Sequence, residues 1–164
     1  MTTVRKSTKS KSVDAIALLK SDHAVVKQLF KKFEQAHRDN APDEAQQIAR
    51  DICVELTIHT TIEEEIFYPA LREVFAEDDL VNEAEVEHAS AKDLIAQIEE
   101  MTANDEKFAA KVTVLGEYID HHVKEEHDEI FPKAKKTELD MKELGQRLIT
   151  RKEQLKSDMA VDAI

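Results

Sequence analysis

His59-Thr-Thr-Ile-Glu63-Glu-Glu-Ile-Phe-Tyr-Pro69 and His122-Val-Lys-Glu-Glu126-His-Asp-Glu-Ile-Phe-Pro132 read alike. Each has a His, a Glu four residues later and a Pro six residues beyond the Glu. Residues four apart share one face of an α-helix, one turn apart. Each stretch therefore offers an imidazole and a carboxylate side by side. Those are ligand types for zinc, manganese or iron. Two such pairs in one small chain can grip more than one metal ion.

Composition frames the rest. The 164 residues fit one domain with a real core, and two Gly, three Pro and 35% charged residues favour long helices over sheets. A net charge of −12 argues against nucleic acid or an anionic membrane as the main partner and leaves room to attract metal cations. The single Cys53 excludes an internal disulfide framework and fits a reducing, cytoplasmic setting. No apolar run reaches the roughly 20 residues that a membrane span needs, and the N-terminus lacks the apolar stretch of a secretory signal.

Residues 1–12, with Arg5, Lys6, Lys9 and Lys11, read as a disordered basic tail. Beyond it the periodicity is helical. Helices are predicted over about Val13 to His37, Asp43 to Tyr68, Leu80 to Met101 and Glu106 to Phe131. Pro42 suits the first position of the second helix, and Asp78 or Asp79 the cap of the third. Pro69 is expected to break or kink the second helix, with a short extension through Phe75, and Pro132 to end the fourth. A last amphipathic helix, about Asp140 to Lys156, carries a thin stripe of Met141, Leu144, Leu148 and Leu155, and is expected outside the bundle or over one end.

The apolar seams of the four long helices carry the main argument. They run Ile16, Leu19, His23, Val26, Phe30, Phe33; then Ile48, Ile52, Leu56, His59, Glu63, Ile66; then Val81, Ala84, His88, Ala91, Ile95, Ile98; then Phe108, Val112, Leu115, Ile119, His122, Glu126. Each seam places one His in phase, and two add a Glu one turn on. Burying ionisable groups is costly unless they are paired or bound to metal. One such His is usually a hydrogen-bonded core residue; four of four, with two Glu, point to a metal site. Counted from the turns, the four imidazoles lie at matching depths, so one layer can hold them all. The predicted fold is all-α: an antiparallel up-down four-helix bundle with an extra C-terminal helix.

This pattern resembles the hemerythrin-like (HHE cation-binding) family. The matching residues are His23 in Ser21-Asp-His-Ala-Val-Val26, His59 and Glu63 with their Ile-Phe-Tyr-Pro tail, His88 in Glu85-Val-Glu-His88, and His122 and Glu126 with their Ile-Phe-Pro tail. The resemblance implies a four-helix bundle over 13–132, followed by a C-terminal helix and tail over 133–164. It implies two non-heme iron ions with an oxo or hydroxo bridge. One iron would take His23, His59 and a bridging Glu63; the other would take His88, His122 and a bridging Glu126. The small ligand would be O₂, NO or a peroxide. The function implied is binding, sensing or storage involving oxygen or iron, with an enzyme acting on peroxide or NO as the alternative. A ferritin-like carboxylate site fits less well, since only Glu85 and His88 give the Glu-x-x-His spacing that fold uses twice.

The chain departs from the O₂-carrying members, which have His-x-x-x-His on the third helix. Here the positions four before and four after His88 are Ala84 and Lys92. The place of a fifth His is left to water, an open position or a substitute, with Glu85 the nearest candidate. Fewer nitrogen donors favour redox turnover or sensing over plain carriage. The pair His121 and Glu125 lies off the seam, and Glu64 and His127 are expected to face solvent or support the ligands. His37 is read as capping or surface bonding, Tyr68 and Tyr118 as core packing in preference to hydrogen bonds that support the ligands, and Cys53 as a small buried hydrophobe.

Overall fold

The computed structural model describes residues 13–162; the basic stretch 1–12 lies outside the described residues. Helix α1 spans Ala15–Arg38. Asp14 caps it, its carboxylate accepting from the Ala17 amide at 2.8 Å. Asn40, at φ 52°, sits in the left-handed region that closes the helix and turns the chain into α2, Pro42–Ile62. Pro42 occupies the first turn, where its missing N–H costs nothing.

The prolines of the repeats do not stop their helices. After α2, residues Glu63–Phe67 form one π-helical turn, and α3 continues over Tyr68–Val74. The fourth long helix behaves identically: α5 spans Phe108–Glu125, a π turn covers Glu126–Ile130, and α6 runs over Phe131–Lys135. In each case a residue donates its amide to the carbonyl five back, Tyr68 to Glu63 and Phe131 to Glu126. A proline in an α-helix loses its own hydrogen bond and drives its ring against the carbonyl four residues earlier. Widening the preceding turn relieves that clash, so the expected break becomes a bulge.

Helix α4 spans Asp79–Glu99. Helices α1, α2, α4 and α5 pack in a ring, each antiparallel to the next in sequence. The last helix, α7, spans Met141–Asp162, longer than its thin stripe suggests. Asp140 caps it, accepting from the amides of Lys142 and Glu143 at 3.1 Å each. It lies along the outside of α1, α2 and the first π turn, where Leu144 and Leu148 are buried.

The core is divided in two. One compartment gathers Leu19, Ile62, Phe67, Tyr68, Leu71, Phe131 and Leu148; the other gathers Val26, Phe33, Ile52, Leu56, Ile95 and Leu115. Between them lies a layer of buried polar side chains: His23, His59, Glu63, His88, His122 and Glu126, joined by Asp22 and Thr60. Cys53 is buried within the second compartment, where burial pushes its thiol up to about 12. It is inert as a redox group.

Gly145 lets α7 approach the backbone at the start of α1. A Cβ there would meet the Val13 carbonyl oxygen at 2.0 Å, and backbone cannot step aside as a side chain does. Gly116 differs: its added Cβ would meet the Phe30 ring at 3.2 Å, and a small ring shift absorbs that. Gly145→Ala is expected to cost about 1–3 kcal/mol in denaturant unfolding, as α7 is levered off α1. Gly116→Ala is expected to cost less.

Candidate metal centre

Asp22 and His23 stand side by side on α1; Glu87 and His88 do the same on α4. His59 and Glu63 end α2, and His122 and Glu126 end α5. The α1–α2 half and the α4–α5 half are therefore two copies of one device. In each copy the two imidazoles face one another: His23 Nε2 lies 3.1 Å from His59 Nε2, and His88 Nε2 lies 3.1 Å from His122 Nε2.

The carboxylates tie the halves together. Glu63 Oε1 lies 2.8 Å from His59 Nε2 in its own half and 3.5 Å from His88 Nε2 in the other. Glu126 Oε1 lies 3.0 Å from His122 Nε2 and 3.4 Å from His23 Nε2. Each Glu thus spans the two His pairs. Two groups of three donors that could each hold an ion are His23, His59 and Glu126, and Glu63, His88 and His122. Each Glu nevertheless lies nearest the His of its own half, and its reach to the other half is what a bridging carboxylate needs.

The partners behind the imidazoles repeat as well. His59 Nδ1 faces Asp22 Oδ2 at 3.0 Å, and His122 Nδ1 faces Glu87 Oε1 at 2.9 Å. The acid that precedes one His in sequence thereby holds the other His of its half. His23 Nδ1 meets His127 Nε2 at 2.9 Å, while Glu64 approaches His88 Nδ1 only to 3.9 Å. Such partners orient a ligand ring and raise its basicity.

Tyr68 breaks the symmetry. Its hydroxyl sits 3.3 Å from His88 Nε2, 3.3 Å from His122 Nε2 and 3.4 Å from Glu126 Oε2. The equivalent residue of the second repeat is Phe131, whose ring stacks on His23 at 6.0 Å and 12°. Sequence reasoning favours core packing for Tyr68 over hydrogen bonding to the ligands, and misses Asp22 and Glu87, although an acid directly before each of two seam His is the available signal. Glu85, the nearest candidate for the place of a fifth His but more readily read as solvated, points away from the layer: it is 40% exposed and pairs with Arg72 at 3.0 Å. His121, 67% exposed, forms a separate surface group with Glu87 and Glu125. His37 stacks on Phe33 near the end of α1, far from this layer.

These residues fit a cation. Both oxygens of Glu63, Glu126 Oε1 and His88 Nδ1 are buried without a hydrogen bond, although imidazole nitrogens crowd the two carboxylates. Buried oxygens that approach nitrogens without bonding to them are what a shared metal ion would complete. Without one, protons carry the balance. Burial pulls the His59 imidazole down, but Glu63 and Asp22 overcome it and hold it up at about 10. Burial is likewise overcome at His122 by Glu126 and Glu87, which raise it to about 11. Burial raises the Glu63 carboxyl, and the charge of His59 outweighs that, holding it well below the usual carboxylate range.

The Hemerythrin HHE cation binding domain model matches residues 14–134. The chain belongs to the hemerythrin HHE cation-binding family. The crystal structure of a family protein, the Rv2633c homolog from Mycobacterium kansasii, aligns with a TM-score of 0.74 at 26% identity, over 89% of each chain. A protein named DNA nickase from Nostoc sp. (strain PCC 7120 / SAG 25.82 / UTEX 2576) is 30% identical over 114 residues, 70% of this chain. The matched part is 31% of that protein, so the chain spans less than a third of this relative.

The protonated imidazoles make metal uptake by this HHE domain pH-dependent. His59 and His122 are raised above the ordinary 6.5, so near pH 7 both hold a proton that a metal ion must displace. Zinc titrated calorimetrically into metal-free protein, in two buffers of different ionisation enthalpy, is expected to release about two protons, one from each imidazole, and to bind more weakly as pH falls. The metal-free fold has the opposite sign: its stability is fully present below 6.5 and declines as pH rises toward 10 and 11. Zinc binding without proton release would contradict protonated His59 and His122.

Proposed function

We propose that this HHE domain holds two non-heme iron ions with an oxo or hydroxo bridge, and that it binds O₂ or a related small oxidant in sensing, binding or storage. His23 and His59 would hold one ion, and His88 and His122 the other, with Glu63 and Glu126 spanning both. The observation that carries this is the pair of fully buried carboxylates, each within reach of one imidazole from either half. When bound, iron supplies exchangeable coordination and one-electron chemistry. The chain supplies position, dryness and proton control.

The size of the site supports a diatomic-scale ligand. A cavity of about 10 Å³ lies against all four imidazoles, walled by Val26, Leu56, Ile119 and Val123. That is close to the minimum for one water-sized molecule, and its walls are apolar. Organic substrates do not fit. On the other side of Val26, Ile119 and Val123, a groove of about 550 Å³ between α1 and α5 reaches His23 and His127. This groove offers an approach from solvent, with Lys20, Lys27 and Lys124 on its rim.

One observation favours the alternative, an enzyme acting on peroxide or NO. The Tyr68 hydroxyl lies against the His88 and His122 nitrogens, where a fifth His donor is lacking. Burial, then the charges of Glu63 and Glu126, hold this phenol well above its usual range, so it keeps its proton. A phenolic O–H held at that place would be a hydrogen-bond and proton donor beside one ion, which suits turnover better than reversible carriage. The net charge of −12 opposes DNA as a partner, so nicking is not carried over from the longer relative. The single, inert Cys53 fits a cytoplasmic location.

Elemental analysis of purified protein is expected to give two irons per chain. His59→Ala and His122→Ala should each lose iron and the near-ultraviolet iron absorption, with helical circular dichroism largely retained. Unchanged iron in both variants would end the proposal. Tyr68→Phe should keep both irons and alter the visible spectrum. Adding O₂, NO and peroxide in turn to the reduced protein then separates a stable adduct, which supports binding, from repeated consumption of the reagent, which supports the enzyme.

A further inference from the structure

The two halves of the centre are not held alike from behind. In the α4–α5 half, the outer oxygen of Glu87 faces His121 at 3.4 Å, a surface imidazole open to water. In the α1–α2 half, the outer oxygen of Asp22 is taken by the ammonium of Lys152, from α7. The Asp22 side chain is 5% exposed and that of Lys152 19%, so this pair lies in a seam with little water. Lys92 likewise pairs with an acid behind an imidazole, Glu64, but it is 47% exposed and Glu64 stands 3.9 Å from His88 Nδ1. Charge acts more strongly in the seam than at the surface.

Helix α7 lies wholly outside the residues that match the family model, which end at 134. It is fixed by Leu144 and Leu148, by the contact of Gly145 with the Val13 carbonyl, and by the Arg151 fork on Glu65 at 2.7 and 3.2 Å. A continuous chain of contacts therefore runs from α7 through Lys152 and Asp22 to His59 Nδ1.

We propose that Lys152 is a positioning residue that makes the two metal positions electrically unequal, rendering the ion held by His23 and His59 the more easily reduced. The proposal rests on the di-iron reading above. A carboxylate that accepts from Nδ1–H pushes electron density onto the imidazole, making it a stronger donor that favours the more oxidised ion. An ammonium on the far oxygen draws that density back. Its own positive charge also disfavours the more positive ion, so both effects act in one direction. Among the described residues no ammonium pairs with Glu87, whose outer oxygen faces the exposed His121, so its donor strength is less reduced on the other side.

The test uses the full chain loaded with iron, with iron content measured first and then a spectroelectrochemical titration. Lys152→Met is expected to retain iron and to move one of the two reduction steps to lower potential. At the wild-type midpoint its oxidised-to-reduced ratio should rise about tenfold, equivalent to ~59 mV for one electron. Lys152→Arg, which keeps the charge, should hold near the wild-type value. Arg151→Met, which cuts the neighbouring anchor of α7 without touching Asp22, should leave both steps in place. Coincident titrations of K152M and wild type, each with two irons, would overturn the role of Lys152 while leaving the di-iron reading standing. An equal shift in R151M would also overturn it, by assigning the effect to helix docking. Wild-type protein without iron would overturn the di-iron reading itself, and this proposal with it. If K152M sheds its iron, K152R decides: wild-type iron and potential support the charge, and loss in both variants removes it.

Discussion

Glu63 and Glu126 are carboxylates with no exposed surface, held at the centre of a bundle whose other interior positions are almost all apolar. An uncompensated ion in such a place costs several kcal/mol. Everything around them answers that cost. Four imidazoles face them from four helices, and in the absence of metal the raised His59 and His122 carry the balancing protons. The polar layer divides the core into two compartments, so each long helix must present its His at the same height as the others. A register slip of one turn on any helix would bury an imidazole in hydrocarbon and strand a carboxylate. The centre therefore selects the packing of the bundle as much as the bundle builds the centre.

The prolines acquire a function from this. By α-helical counting, Tyr68 lies five residues past Glu63, about 140° around the axis from it. It would then face away from the centre. The π turn changes the count: the Tyr68 amide bonds to the Glu63 carbonyl, which stacks residue 68 over residue 63. The same bond from Phe131 to Glu126 brings the Phe131 ring over His23. Pro69 and Pro132 disfavour the ordinary turn, and the wider turn that results delivers one aromatic side chain to each half of the site. One of those side chains carries a hydroxyl and the other does not.

The same geometry explains what can be read from the sequence. His23, His59, His88 and His122 are legible because each lies in phase with an apolar stripe on its own helix, and a stripe is a one-helix property. Glu63 and Glu126 are legible for the same reason. The up-down bundle follows from the four stripes and the short turns between them. Asp22 and Glu87 are not legible as partners, because the imidazoles they hold belong to the next helix of the ring. Tyr68 escapes because its phase depends on a bulge that α-periodicity does not contain. Glu85 is favoured by proximity along α4, but Arg72 from α3 claims it in space. Lys152 stands more than a hundred residues from Asp22, on a helix brought close by Leu144, Leu148, the contact of Gly145 with the Val13 carbonyl and the Arg151 fork on Glu65.

The two repeats nearly make a symmetric site, and chemistry depends on where they fail to. A symmetric pair of ions would share one potential and one set of donors, so neither would be a preferred place for an electron or a ligand. Tyr68 on one side and Phe131 on the other give the halves different donors. Lys152 behind Asp22, without a buried equivalent behind Glu87, gives them different fields. The phenol lies on the side where the carboxylate donor is unopposed, and the ammonium lies on the side with no phenol. In the proposed di-iron centre the ammonium of Lys152 would favour the reduced ion in the α1–α2 half, while Glu87 would favour the oxidised ion in the α4–α5 half. The groove between α1 and α5 would then open onto the half that is easier to reduce.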